Sequence, residues 1–450
     1  MRQIKLAFIG GGSRNWAPGM IRDLALCPDV SGQLSLYDIS YSAARRTAEW
    51  GVEVFDHSEA RTQFSITAHR KVRPALRGAD FVVMAIQPGP IELMVQDIEI
   101  PRRYGILHTV GDTAGPAGLV RALRTVPIYT RYAEAIMEHC PAAWVMTCTN
   151  PMAHCVAALY AAAPQIRAFG YCHEVLHTQT YFAEVVREDL GVEDCRRPDI
   201  RIRACGTNHF TVATSAHYGG EDVFPLLRRR MGQPGFFDDR TEEARRWKRE
   251  GKWFNMARLV AYEFLRRFGV FGAAGDRHLV EFVPWYLPDE DTLHRWGVVA
   301  TPTSFRLESH AARRSDDEWA VPEHLEPSGG QCLDQVLALA GLGDLETTTN
   351  IPNRGQVPGL PLGAVLESNV RFRRDELEAL SAEELPPGML ALQRRVIEVQ
   401  QDTVRAARER DRDLAFQALL CDPLVGISTD RAWAMFEEML SATKEMLPGW

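Results

Sequence analysis

Read as a string of apolar and polar positions, the first 170 residues alternate between short dense apolar runs and longer amphipathic stretches. Ile4 to Ile9 is such a run. Gly10-Gly11-Gly12-Ser13 ends it, and Met20, Ile21, Leu24 and Leu26 then recur at helical spacing, so the order is strand, glycine turn, helix. Gln33 to Asp38, Phe64 to Thr67, Asp80 to Ile86, Trp144 to Thr149 and Ile166 to Phe169 read as further strands. The run from Asp80 is the densest, as a parallel strand buried on both faces requires. Helical stretches lead up to Tyr104 and run from Leu119 to the neighbourhood of Glu138. Gly111 to Gly118 is too rich in glycine for helix or strand and predicts a loop of the kind that closes around ligands. This alternation predicts an α/β fold with a Rossmann-like, doubly wound parallel sheet.

Beyond residue 170 the pattern turns more helical. Arg201 to Cys205 and Thr211 to Ala213 read as strands flanking Gly206-Thr207-Asn208-His209, and glycine-bearing loops are expected at Gly272–His278 and Asn350–Gln356. After the break at Pro386-Pro387-Gly388 the tail from Met389 is amphipathic helix. Ser315 to Gly330, polar and interrupted by Pro322 and Pro327, predicts a mobile linker. At 450 residues the chain exceeds what one core usually supports. The expected division is a nucleotide-binding domain over 1–170 and a mixed α+β domain over 171–450 that binds substrate and metal and carries the oligomer contacts.

Composition narrows the function. Hydrophobic residues at 46% and charged residues at 24% are ordinary for a globular enzyme and argue against disorder. A net charge of -8 without a long run of one sign weighs against a nucleic-acid partner. No stretch approaches the ~20 apolar residues of a membrane helix, and no leader with a small-residue cleavage site follows Arg2 and Lys5. Nine cysteines without a CxxC spacing fit a reducing, cytoplasmic setting. The apolar C-terminal helices would suit a homo-oligomer, a dimer or tetramer.

Two places carry candidate chemistry. The turn Gly10, Gly11, Gly12, Ser13 lets backbone approach a pyrophosphate at a helix N-terminus, although Asn15 stands where the G-x-G-x-x-G pattern has its third glycine. Asp38, ending the second strand, is placed to bind the adenine ribose and favours NAD over NADP; the alternative makes it the N-cap of the helix starting near Ser42. The second place is Tyr171-Cys172-His173-Glu174-Val175, where a thiol, an imidazole and a carboxylate meet at a strand end, with packing of a buried Cys-His pair as the alternative.

With Gly10 to Ser13, Asp38, Asn150-Pro151, Cys172-His173 and Asn208-His209 in this order, the chain resembles glycoside hydrolase family 4 almost end to end. It is most similar to the alpha-galacturonidase branch at Cys172-His173-Glu174-Val175, Gly111-Asp112-Thr113, Ala274-Gly275-Asp276-Arg277-His278 and Asn353-Arg354-Gly355-Gln356-Val357. The family's first half resembles lactate and malate dehydrogenases. The resemblance implies cleavage of alpha-galacturonides by NAD-dependent oxidation at C3, metal-assisted removal of the C2 proton, elimination at C1, addition of water and re-reduction, with NAD regenerated each turnover. The same chemistry on an alpha-glucuronide, alpha-galactoside or alpha-glucoside is an alternative, as is a plain 2-hydroxy-acid dehydrogenase.

Residue by residue, the resemblance implies Cys172 and His209 as metal ligands. Ligand softness alone would suggest zinc or iron, and the resemblance implies manganese. His173 takes the place of the proton donor to the leaving oxygen, or else orients a neighbour. Asp276 takes the place of the C2 base, or else caps its own glycine turn. Asn150 reaches a sugar hydroxyl or the nicotinamide ribose, or merely shapes the Asn-Pro turn. A uronate carboxylate calls for a guanidinium fork, with Arg277 and Arg354 as candidates and His278 as helper. Glu174 sets a negative charge beside the same anionic substrate, which the sequence leaves unexplained.

Overall fold

The computed structural model describes residues 1–312 and 319–450. Strands β1 (Arg2–Ile9), β2 (Val30–Tyr37), β3 (Phe64–His69), β4 (Phe81–Met84), β5 (Trp144–Thr147) and β6 (Arg167–Gly170) are joined by crossover helices. They pair in parallel in the order β3-β2-β1-β4-β5-β6, the doubly wound order of dinucleotide-binding folds. All four residues of β4 and of β5 are buried, as helices on both faces demand.

The sheet does not stop at β6. Strands β7 (Ile200–Gly206), β8 (Val212–Tyr218), β9 (Glu221–Asp222), β10 (Phe271–Gly272), β11 (Leu345–Pro352), β12 (Val365–Arg373) and β13 (Glu376–Ala379) extend it in antiparallel fashion, giving β6-β11-β12-β7-β8-β10 beyond the parallel half. The junction is Gly170 against Asn350, where the Thr349 hydroxyl also donates to the Gly170 carbonyl at 2.7 Å. One apolar cluster runs through both halves, from Ala7 and Ile9 to Phe210, Leu366 and Ile397. The long helices Gly115–His139 and Pro387–Glu409 are central to it. Among the described residues no helix is long and apolar enough to cross a membrane.

Four expectations need correction. Gly115 to Gly118 are the first turn of a helix, started by Pro116, whose fixed φ suits a helix N-terminus. A Cβ on Gly118 would lie 2.3 Å from the Thr113 backbone, so this glycine permits close packing of loop on helix. Asn350 belongs to β11, and Asp276 opens the short helix Asp276–Leu279, so neither stands in a free loop. The N-cap of helix Tyr41–Phe55 is Ser40, which leaves Asp38 outside that role. Of the stretch from Ser315 to Gly330, residues 315–318 lie outside the described residues. The remainder is anchored to the first half: Trp319 packs edge-on against Trp50, Glu59 accepts from the Leu325 amide, and Asp23 accepts from the Ser328 amide and hydroxyl.

Candidate active site

The glycine turn is built by close approach. Gly10 has φ +89° and a Cβ there would lie 2.1 Å from the Ala85 carbonyl oxygen, while one on Gly11 would meet Leu36. Gly12 rests on Asp38, donating its amide to Oδ2 at 3.0 Å, and Oδ1 accepts from the Ser40 amide at 2.9 Å. Ser13 donates its amide to the Gly10 carbonyl, and its hydroxyl accepts from the Trp16 amide at the start of helix Trp16–Leu26. That helix has no acidic residue in its first turn and no side-chain cap. The positive end of its dipole is left without a local carboxylate, which suits a phosphate. Asp38 retains lone pairs beyond the two it uses, so the turn fits a dinucleotide.

Across the ends of β5, β6 and β7 lies a cluster of acids and imidazoles. His209, held at φ +66° after β7, is buried and lies with its ring 4.0 Å from that of His278. Its Nδ1 is 3.0 Å from the Thr113 hydroxyl, which in turn donates to Asp112 Oδ1 at 2.7 Å. Asn150, joined to Pro151 by a cis peptide, donates to Asp112 Oδ2 at 3.0 Å. Asp112, His209 and His278 bring ligand atoms within 4.8 Å of one another. Burial works to raise the Asp112 carboxyl, but His209 and His278 beside it hold it well below the usual range. Burial depresses both imidazoles, His278 to about 3 with help from His209, so both are neutral with lone pairs to offer.

Glu174 lies in the same cluster, beside His278. Its Oε2 accepts the Gly275 amide at 2.7 Å, and Oε1 lies 3.7 Å from both His173 and His278. Burial opposes ionisation, yet His278, His209 and His173 together bring the carboxyl down to about 2. With His209 and His278 neutral, the carboxylate is held by the Gly275 amide. His173 itself is half exposed, precedes helix Glu174–Leu190, and sits with its ring 4.8 Å from His177 and 6.5 Å from Trp16 of the glycine-turn helix.

Cys172 is buried near Glu174, Asn208 and Glu367. Burial first, then the charges of Glu367 and Glu174, push its thiol far up, so it ionises there only beside a cation. The Oδ1 of Asn208 and Oε1 of Glu367 are buried without partners. Cys172 is not in the three-residue group that holds His209, although both feel Glu174. The cluster fits a divalent cation by its donor chemistry: a carboxylate, two neutral imidazoles and a nearby thiol.

Two expected residues stand apart. Asp276 is fully buried and both oxygens are engaged, accepting the Val260 and Ala261 amides at 3.1 and 3.0 Å. It satisfies two N-terminal amides of helix Leu259–Phe268, a capping role toward a neighbouring helix and not toward its own glycine turn. Arg354 is exposed on the turn after β11, with Tyr160 as its charge neighbour, while Arg277 is buried beside Glu174 and Asp112.

Several site residues escaped the sequence reading. Glu281 Oε1 accepts the consecutive amides of Thr109, Val110 and Gly111 at 2.7, 2.7 and 2.9 Å, fixing the loop that presents Asp112 and Thr113. Burial raises that carboxyl to about 7. Arg121 donates to the Asn150 carbonyl and to Gln87, inside a helix where it looks like one more solvated charge.

Residues 5–188 match the family described as family 4 glycosyl hydrolase, and residues 204–425 its C-terminal domain. An alpha-galacturonidase of Thermoanaerobacterium saccharolyticum is 41% identical, with 100% of this chain and 98% of the relative covered. One from Bacillus subtilis is 38% identical over 97% of each chain. Among solved structures, the Bacillus subtilis protein lplD superposes with a TM-score of 0.87 at 37% identity, covering 98% of this chain and 100% of that one. The Thermotoga maritima 6-phospho-beta-glucosidase, solved with manganese, NAD+ and glucose-6-phosphate, shares the fold at a TM-score of 0.76 and 20% identity, with 99% of each chain covered. A Plasmodium falciparum malate dehydrogenase shares it more distantly, at 0.51 and 13% identity over 92% of this chain.

Proposed function

The chain belongs to family 4 of the glycosyl hydrolases, and from that premise we propose that it hydrolyses alpha-galacturonides with NAD and a divalent metal, manganese for preference. The substrate class is supported by full-length relatives at about 40% identity that carry this name. The observation that carries the chemistry is the Asp112–His209–His278 cluster beside the ends of β5, β6 and β7, in the same sheet whose β1 runs into the glycine turn. A two-carboxylate glycosidase has no need of either.

When bound, NAD supplies reversible hydride transfer and the metal supplies Lewis acidity at the sugar oxygens. Gly10, Gly11, Gly12 and Ser13 cradle the pyrophosphate and Asp38 holds the ribose. His209 would hold the metal with Cys172, and Asp112 and His278 complete the donor set. Thr113 orients the His209 ring through Nδ1. His173, exposed on the Trp16 side, hands a proton to the leaving oxygen. Asn150 is fixed by Asp112 with its own Oδ1 left free for a sugar hydroxyl. A cytoplasmic homo-oligomer belongs to the same reading, supported by nine free cysteines, eight of them buried, and by the partly exposed Trp433 on a C-terminal helix.

The test is an aryl alpha-galacturonide assayed with and without NAD and manganese, beside the matching glucuronide, galactoside and glucoside. Release of galacturonate should require both additions without accumulation of NADH. Full activity after NAD removal and chelation, or a preference for a neutral sugar, refutes the reading.

A further inference from the structure

Arg277 and Arg306 reach the cluster from two elements, the short helix Asp276–Leu279 and the helix Thr303–Ala312. Each is pinned by one good polar contact: Arg277 Nη2 donates to Thr301 Oγ1 at 2.7 Å, and Arg306 Nη2 to the Val110 carbonyl at 2.6 Å. Arg306 Nη1 has only the Met94 sulfur, at 3.9 Å. The Nε of each guanidinium is buried and has no acceptor. Among the described residues neither has a carboxylate within ion-pair distance. Arg306 nonetheless feels the charge of Arg277, both feel Asp112 and Glu281, and Arg277 feels Glu174 before either. The Phe254 ring covers Arg277 at 4.7 Å.

A buried and a half-buried guanidinium, each with a buried Nε left without an acceptor, are costly side by side unless an anion joins them. The acids in range are committed elsewhere. Asp112 accepts from Thr113 and Asn150 and faces two imidazoles, Glu174 Oε2 accepts from the Gly275 amide, and Glu281 Oε1 is shared by three amides. A metal in the cluster would engage Asp112 further. What is missing is a planar anion able to take two parallel N–H donors, which describes a carboxylate.

We infer that Arg277 and Arg306 form the clamp for the substrate's carboxylate, with Arg306 setting the preference for a hexuronide over the neutral sugar. The inference deepens the proposed activity and rests on it for the identity of the sugar. Arg306 stands on a helix outside every motif that carries the family resemblance, in a position where an arginine ordinarily reads as surface charge.

The test is calorimetric binding of free galacturonate and of galactose to the protein holding NAD and manganese, for wild type, Arg306→Gln and Arg306→Lys. Hydrolysis of the matched aryl glycosides is followed in parallel. Wild type should bind galacturonate more tightly than galactose. Arg306→Gln should weaken galacturonate about 10- to 100-fold and collapse the galacturonide-to-galactoside ratio of kcat/KM, as expected for losing hydrogen bonds to a charged group. Arg306→Lys, which keeps charge and stem but not the fork, should lose at least about five-fold and settles the matter if the glutamine variant misfolds. A folded Arg306→Gln protein that holds galacturonate within about two-fold of wild type, or loses both sugars equally, overturns the clamp. Preferential binding that Arg306→Gln abolishes, without hydrolysis of any galacturonide, would sustain the clamp and refute the hydrolase.

Discussion

Gly118→Ala is a small change with a calculable reach. The added Cβ would lie 2.3 and 2.4 Å from the carbonyl carbon and oxygen of Thr113, against the 3.4 Å at which ordinary contact begins. The Thr113 segment must retreat by roughly 1 Å, and backbone gives way less readily than a side-chain tip. Thr113 carries the 3.0 Å contact to His209 Nδ1 and the 2.7 Å bond to Asp112, so the retreat separates the loop's ligands from the histidine pair. Overpacking costs about 1–3 kcal/mol, and replacing glycine by alanine in a helix returns about 1 kcal/mol. Stability should therefore fall by no more than about 2 kcal/mol. Activity should fall far more, about 100-fold in kcat/KM, because a displacement of this size at a reacting centre is expensive. Gly426→Ala is the control, since its Cβ would meet nothing within 4 Å. A Gly118→Ala enzyme within about three-fold of wild type on an alpha-galacturonide would refute the argument that this packing positions the cluster.

Asp276→Ala leaves the Val260 and Ala261 amides without acceptors and should lower stability by about 2–4 kcal/mol in a denaturant titration. An unchanged midpoint with hydrolysis abolished would mark Asp276 as the base and not a cap. Burial raises the Asp422 carboxyl from 3.8 to about 6 against the pull of the Leu424 and Gly115 amides. The folded state therefore holds this proton more tightly than the unfolded chain, and the stability it contributes is present below pH 3.8 and lost as pH rises through about 6. The buried His108 and His154, both depressed to about 4, work in the opposite direction below pH 6.5, so the measurement is the difference between wild type and Asp422→Asn. Wild type should lose roughly 1.5 kcal/mol relative to the variant between about pH 5 and about pH 8, and parallel curves would show that Asp422 is not the group responsible.

The parallel half was legible because its central strands β4 and β5 are apolar on both faces and its glycines sit where backbones touch. The same logic misled at Gly115 to Gly118, where glycine marked close contact with Thr113 while the chain was already helical. Cys172 and His209 could be read because both end strands. Glu281, Arg121 and Arg306 could not, since a charge in an amphipathic stretch looks solvated until its partner arrives from elsewhere in the chain, and Asp112 stood in the glycine loop with nothing local to tie it to the histidines. Glu281 meets amides that precede it by 170 to 172 residues. Strands β11 and β12 did carry a signal, in the β-branched run Thr347 to Thr349 and the apolar alternation from Val365, but nothing local indicated that they would continue the first sheet.

That continuation has a thermodynamic consequence. Because Gly170 pairs with Asn350 and one apolar cluster spans both halves, neither half can melt without exposing the core of the other. Unfolding should be a single transition, and any ligand held by the glycine turn alone should protect β12 and the C-terminal helices from hydrogen exchange as fully as it protects β1.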